Sequence, residues 1–322
     1  MRAAALGMVL LCGIAQGTPA HATGSNTLTV HKQTLKSSPF ARLFCAASRL
    51  VRQRECNKRQ PPSDSSQTLS ANYAAHASVA RNNEPKTVVN SIGMKLVEIP
   101  AGRFTMGDGG GVKVTLTNQF LLGTTEVTQG QFKKVMGTEP WLNKGDVQIG
   151  EDNAASYVDW NDATAFCQRL TDTDHKNGKL PAGDSYHLPT EAEWEYACRA
   201  STQTAFSFGD DEKQLGQYAW FKGNAFDAGE RYAHAVGLKK PNPWGLYDMH
   251  GNVWEWCSNW YDGKLSGGTD PVGPEGGSYR ARRGGGWGGY PDVCRSAARN
   301  LEDPSLRINY QGFRVARSQS AQ

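Results

Sequence analysis

The sequence carries little net charge. Its 35 Lys and Arg against 31 Asp and Glu leave +4 over 322 residues, too small a surplus to argue for a nucleic-acid partner. Cysteine is sparse, seven in all, with no Cys-x-x-Cys pair and no histidine at zinc-ligand spacing, which argues against a structural zinc site. Neither Gly-x-Ser-x-Gly nor a Walker sequence occurs, so the serine-hydrolase elbow and the phosphate loop are missing. After the first residues no apolar run is long enough to cross a bilayer, and no transmembrane segment is expected in the mature chain.

What is present is glycine and aromatic side chains. The 36 glycines are about 11% of the chain, against roughly 7% on average. With 9 Trp and 11 Tyr, that composition describes a loop-rich, aromatic-packed domain with short elements. An apolar fraction of 38% and a charged fraction of 20% suit a chain that buries a core and exclude wholesale disorder.

The N-terminus reads as an address. Arg2 supplies a positive start, Ala3 to Gly17 is apolar but too short to span a membrane, and Ala20-His21-Ala22 offers a cleavage site. Residues 1–22 are therefore expected to be a signal peptide, and the chain exported, periplasmic or secreted. Export favours disulfides, and Cys45, Cys56, Cys167, Cys198, Cys257 and Cys294 are the disulfide candidates. Residues 23–88 are basic, Ser-rich and poor in core signal. Arg42 to Arg59 could form a short surface helix stapled by Cys45 and Cys56, with a solvated basic run as the alternative.

From 89 to 317 the pattern is that of a folded domain. Met94–Pro100 and Gly102–Gly107 predict two short strands on either side of a turn, and Val112, Val114 and Leu116 alternate as in a half-buried strand. Thr128-x-x-Gln131 and Thr190-x-x-Glu193 are capping boxes that open helices. Asp159 can cap a third helix, on which Ala163, Phe166, Cys167 and Leu170 share one face. The rest is Gly-, Trp- and Pro-rich, giving an α+β domain with much irregular structure.

Several segments carry a resemblance. Gly93–Gly102, Glu126-Val-Thr128, Leu188–Cys198, Asn242–Trp256, Arg283–Trp287, Cys294–Arg299 and Gly312-Phe-Arg314 resemble, in order, the motifs of the sulfatase-modifying-factor or formylglycine-generating-enzyme family. The resemblance implies that family's variant of the C-type-lectin-like fold, with a surface cleft. It also exposes departures. The family's oxidases hold copper(I) between two thiolates, which suit a soft ion. Here Gly289 stands at the first cysteine position, Tyr290 replaces the following histidine, and Cys294 is the only nearby thiol. Copper is therefore not expected, nor is formylglycine synthesis by the two-cysteine route.

The resemblance further maps a structural Ca²⁺ site onto Asp248 and Glu255 (side chains) and Gly251 and Val253 (carbonyls), a hard-oxygen set of the kind calcium takes. The alternative is that both carboxylates bind local backbone donors or arginines. The family partners of Cys167 and Cys198 map to Val315 and Ser296, which makes Cys294 a candidate partner for Cys198. Trp254, Trp287, Gly289, Tyr290 and Cys294 are the cleft candidates, and one of Trp254 and Trp256 is expected in the core. Some exported family members without the cysteine pair act in oxidative maturation. The expected function is therefore a periplasmic maturation factor acting oxidatively on a peptide-like substrate. The alternative is a non-catalytic, calcium-stabilised module that binds a protein or glycan.

Overall fold

The computed structural model describes residues 86–319, so the signal-peptide reading and the Cys45–Cys56 staple lie outside the described residues. Three small sheets and three α-helices carry the described residues. The first sheet runs β1 (Thr87–Val89), β2 (Lys95–Ile99), β5 (Phe120–Gly123), β12 (Ala316–Ser318), β6 (Ser185–His187) in spatial order. Its neighbours are all antiparallel, and β12 pairs with β5 on one side and β6 on the other. The C-terminal strand thus lies inside the sheet that the N-terminal strands begin.

The second sheet places β10 (Asn300–Glu302), β9 (Arg280–Arg283), β7 (Trp254–Trp260) and β11 (Gln311–Gly312) side by side. The third contains β3 (Gly102–Met106), β4 (Val112–Leu116) and β8 (Gly268–Thr269). β2 and β3, adjacent in sequence, belong to different sheets: Ala101 is a corner and not a hairpin. β1 reaches into the segment that the sequence assigns low order. All three of its side chains are exposed, so only backbone pairing holds it and no apolar pattern announces it.

The helices form where their caps predict. Thr128 opens α1 (Gln129–Met136) and Thr190 opens α3 (Glu191–Arg199), both with reciprocal capping boxes; Gly137 ends α1 in the left-handed region at φ 72°. Asp159 caps α2 (Trp160–Lys176) by accepting from the Asp162 N–H. On α2, Ala163, Phe166, Cys167 and Leu170 are buried as their spacing requires. Phe166 meets Phe313 edge-on at 5.2 Å and stacks on Phe132 at 5.9 Å, with Trp141 against Phe132 at 5.7 Å. Trp256 belongs to the same cluster and donates from Nε1 to the Val158 carbonyl at 2.9 Å.

A second apolar cluster holds Val97, Phe104, Val114, Trp194, Met249 and Cys257. Beside it runs a buried ionic network. Arg283 donates to Glu191 (3.1 Å) and Glu195 (2.8 Å), and Glu195 also binds Arg199 (2.8 Å). This network ties β9 to α3, so the start of the glycine run at 284 is fixed in space.

The four described cysteines, Cys167, Cys198, Cys257 and Cys294, are all free and buried, which corrects the disulfide expectation for them. The physical reason for Cys294 is local. Pro291–Cys294 is a 3₁₀ turn and not a strand, and it packs the thiol under Gly285, where a Cβ would lie 2.7 Å from Sγ. Cys198 and Cys294 both meet His250 instead of each other. The Cys198 sulfur is 4.0 Å from both ring nitrogens, and the Cys294 carbonyl is 2.8 Å from Nδ1. Burial pushes the Cys198 thiol up to about 12 and raises Cys294 further, so neither is a nucleophile near neutral pH. Iodoacetamide should therefore leave all four unlabelled in the native protein. In guanidinium without reductant it should label all four by peptide mapping, and recovery of any of them as a disulfide would contradict this arrangement.

Candidate functional site

The glycine run after β9 turns the chain back across the start of β7. Gly284 and Gly285 have φ of 96° and 76°, a conformation that costs a side chain dearly. The Gly289 N–H closes the turn on the Gly286 carbonyl at 2.7 Å. The run walls a cavity of about 380 Å³ together with Phe226, Trp254, Arg282, Asn300 and Tyr310. Trp287 stacks on Phe226 at 6.2 Å and meets Tyr310 edge-on at 6.4 Å. Its Nε1 donates to the Asn309 carbonyl at 3.3 Å, which fixes the indole.

Three of the five cleft candidates, Trp254, Trp287 and Gly289, line this cavity. Tyr290 does not; it is exposed beside the mouth, with Lys222 over its ring at 5.4 Å. Cys294 lies beneath the glycine run and away from the opening. Sequence reasoning missed Phe226, Arg282 and Tyr310, which come from three separate segments with no shared motif. Arg282 could have been suspected, because it alternates with the core residue Ala281 on a short strand.

A second polar centre lies behind the cavity at the turn before β7. Asp248 and Asn252 adopt left-handed φ of 61° and 68°. Gly251 is required there, since a Cβ would meet the Trp220 carbonyl at 2.2 Å. Three carboxylates, Glu126, Asp248 and Glu255, are all at most 1% exposed. Glu255 is committed. Arg314 binds both its oxygens at 2.7–3.2 Å, and Trp194 Nε1 donates to it at 2.7 Å. Both Glu255 oxygens are thus engaged by protein donors, the arrangement that the alternative to a metal ligand describes. Among the described residues no three His, Cys, Asp or Glu side chains are grouped to hold a metal.

Asp248 is different. Its Oδ2 accepts from the Gly237 N–H at 2.7 Å, but Oδ1 is buried without a partner. Glu126 has only long contacts, 3.3 Å from Asn252 Nδ2 and 3.4 Å from the Val253 N–H. Burial pushes Asp248 up to about 6, and burial with the neighbouring Asp248 and Glu255 charges raises Glu126 well above the carboxylate range. The centre is short of positive charge.

The family model described as "Sulfatase-modifying factor enzyme 1-like domain" matches residues 81–319. The chain belongs to this family. It is similar to the formylglycine-generating enzyme of Bos taurus, at 28% identity with 81% of this chain and 85% of the relative aligned. It is also similar to the chaperone protein LppX of Paenibacillus barcinonensis, at 29% identity over 64% and 82% of the two chains. Among solved structures it resembles PvdO from Pseudomonas aeruginosa with a TM-score of 0.62, 28% identity, and 74% and 100% of the chains covered. The α+β, C-type-lectin-like expectation holds: the family's fold is present. No described helix is long and apolar enough to cross a membrane.

Proposed function

We propose that this family member is an exported maturation factor that holds a peptide or protein substrate in the Trp254–Trp287–Tyr310 cavity and promotes its oxidation by a route other than two-thiolate copper(I) chemistry. The observation that carries this reading is the aromatic-walled cavity, with Gly289 and not a thiol at its wall. The buried, protonated Cys294 supports it, because a thiol in that state offers no soft ligand to copper. A sulfatase-type Cys-x-Pro-x-Arg peptide incubated with the protein, oxygen and copper should keep its cysteine. An aldehyde product would reverse the exclusion.

The binding half is checked with an immobilised hexapeptide array. Wild type should retain a subset of peptides that the Trp287→Ala variant loses about tenfold or more in affinity, as for an aromatic anchor. Retained peptides incubated under oxygen should come back lighter by two hydrogens. Unchanged mass with retained binding would favour the second reading, a non-catalytic binding module. That reading draws on the absence of any acidic or thiol side chain from the cavity lining.

A structural Ca²⁺ forms part of the proposal through Asp248. The unpartnered Oδ1 and the surplus of buried negative charge support a divalent cation there, with the Gly251 and Val253 carbonyls as further oxygens. Calcium should raise the melting temperature and chelation lower it, since a ligand that binds only the native state stabilises it. Asp248→Ala, which removes the side-chain oxygens, should abolish the response. No response in wild type would remove the ion from this reading.

A further inference from the structure

Among the described residues, Arg282 is the one charged residue lining the cavity. It is only 6% exposed, and its guanidinium lies over the Trp254 ring at 4.9 Å and the Tyr310 ring at 5.9 Å. Nη1 donates to Gln311 Oε1 at 3.1 Å, and Nη2 lies 3.0 Å from Glu302 Oε2. Nε is buried without a partner. A guanidinium carries five N–H donors and accepts nothing, so its free capacity can be met only by an acceptor. A buried donor left unmet is costly.

The surroundings set the rest of the chemistry. Glu302, the acid paired with Arg282, sits on β10 and does not line the cavity, and no other carboxylate lines it. Flat rings supply the walls. Arg231 lies 4.4 Å from the ring centroid of the lining residue Phe226, and Lys222, ion-paired with Asp227, lies 5.4 Å from it. An occupant is thus offered aromatic faces and a guanidinium with donor capacity left.

We propose that Arg282 makes this cavity a site for a planar aromatic group bearing an anionic oxygen, with the ring against the Trp254, Trp287 and Phe226 side chains and the oxygen on the guanidinium. This rests on the peptide-binding reading for the source of the group, which the substrate carries. Apolar contact alone discriminates weakly between ligands, whereas a site built to hydrogen-bond one atom rejects an analogue that lacks it. Arg282 is therefore the specificity residue and the rings supply general affinity.

The test is calorimetric titration of the full chain with naphthalene-2-carboxylate and with the neutral naphthalene-2-carboxamide. The carboxylate should bind at least about tenfold more tightly, the scale expected for a charge-assisted hydrogen bond. Arg282→Gln should erase that preference. Because losing Arg282 could unsettle β9, the second variant is Glu302→Gln. It removes the competing acid from a partly exposed strand and should widen the preference while leaving the carboxamide unchanged. Equal affinities in wild type, no binding of either compound, or a preference that neither variant moves would each overturn the assignment. Peptide capture by a cavity blind to naphthoate overturns this inference alone; Arg282-dependent naphthoate binding without peptide capture overturns only the peptide source.

Discussion

Replacing Arg314 by methionine should cost the folded domain about 3–5 kcal/mol, the scale for breaking a buried ion pair by removing one partner. Arg314 and Glu255 are both fully buried, and the arginine also donates to the Gly123 and Tyr247 carbonyls at 2.8 Å each. Without it, Glu255, Asp248 and Glu126 would share a dry site with no guanidinium. For a domain of this size each kcal/mol moves the melting temperature by roughly 2–4 °C, so a fall of roughly 10 °C is expected by thermal denaturation. Adding Glu255→Leu should return part of the loss, because the uncompensated charge costs more than the missing volume. An Arg314→Met variant that melts like wild type would show that the three carboxylates are not held as described.

Acid should weaken the protein through His250. The ring is 2% exposed and neutral: Ser207 N–H donates to Nε2 at 3.1 Å with Ser207 Oγ 2.8 Å from the same atom, so Nδ1 carries the proton and donates to the Cys294 carbonyl. Cys198, Phe206 and Phe208 also lie against it, and among the described residues no carboxylate is hydrogen-bonded to the ring. Burial holds its pKa down at about 4, against 6.5 for a free histidine.

The folded state therefore refuses a proton that the unfolded chain accepts. The stabilising contribution is complete above about pH 6.5 and disappears as the pH falls through 4, on the order of 3 kcal/mol in all. Other groups titrate in the same range, so the measurement is the stability difference between wild type and His250→Gln, by urea unfolding at pH 7 and pH 4.5. That difference should shrink on acidification. A constant difference would acquit the histidine.

Much of the fold was legible in local pattern. Capping boxes at Thr128 and Thr190 and the apolar face of Ala163, Phe166, Cys167 and Leu170 are short-range signals, because a helix satisfies its backbone within its own turn. Family membership was legible too, since the motifs occur in order along the chain. β1 was not, having no buried side chain, and neither was the separation of β2 from β3, because pairing partners lie far apart in sequence.

The site was only partly legible. Trp254, Trp287 and Gly289 came from motifs, and the cavity includes them. Phe226, Arg282 and Tyr310 join them only through the return of the chain over β7, which no spacing rule encodes. Cys294 illustrates the opposite failure. Resemblance made it a candidate partner for Cys198, but Pro291 begins a 3₁₀ turn that packs its thiol under Gly285. Glu255, a metal ligand by resemblance, has both oxygens bound by Arg314, a contact across 59 residues that no local pattern announces.

Sequence by itself determined the three capped helices, the family and the glycine that stands at 289 in place of a thiol, because these are properties of residue identity and near neighbours. Tertiary structure alone decided which charges are paired, which thiols are buried and which rings face one cavity. Those outcomes depend on desolvation and on contacts between distant segments, and neither exists until the chain has closed on itself.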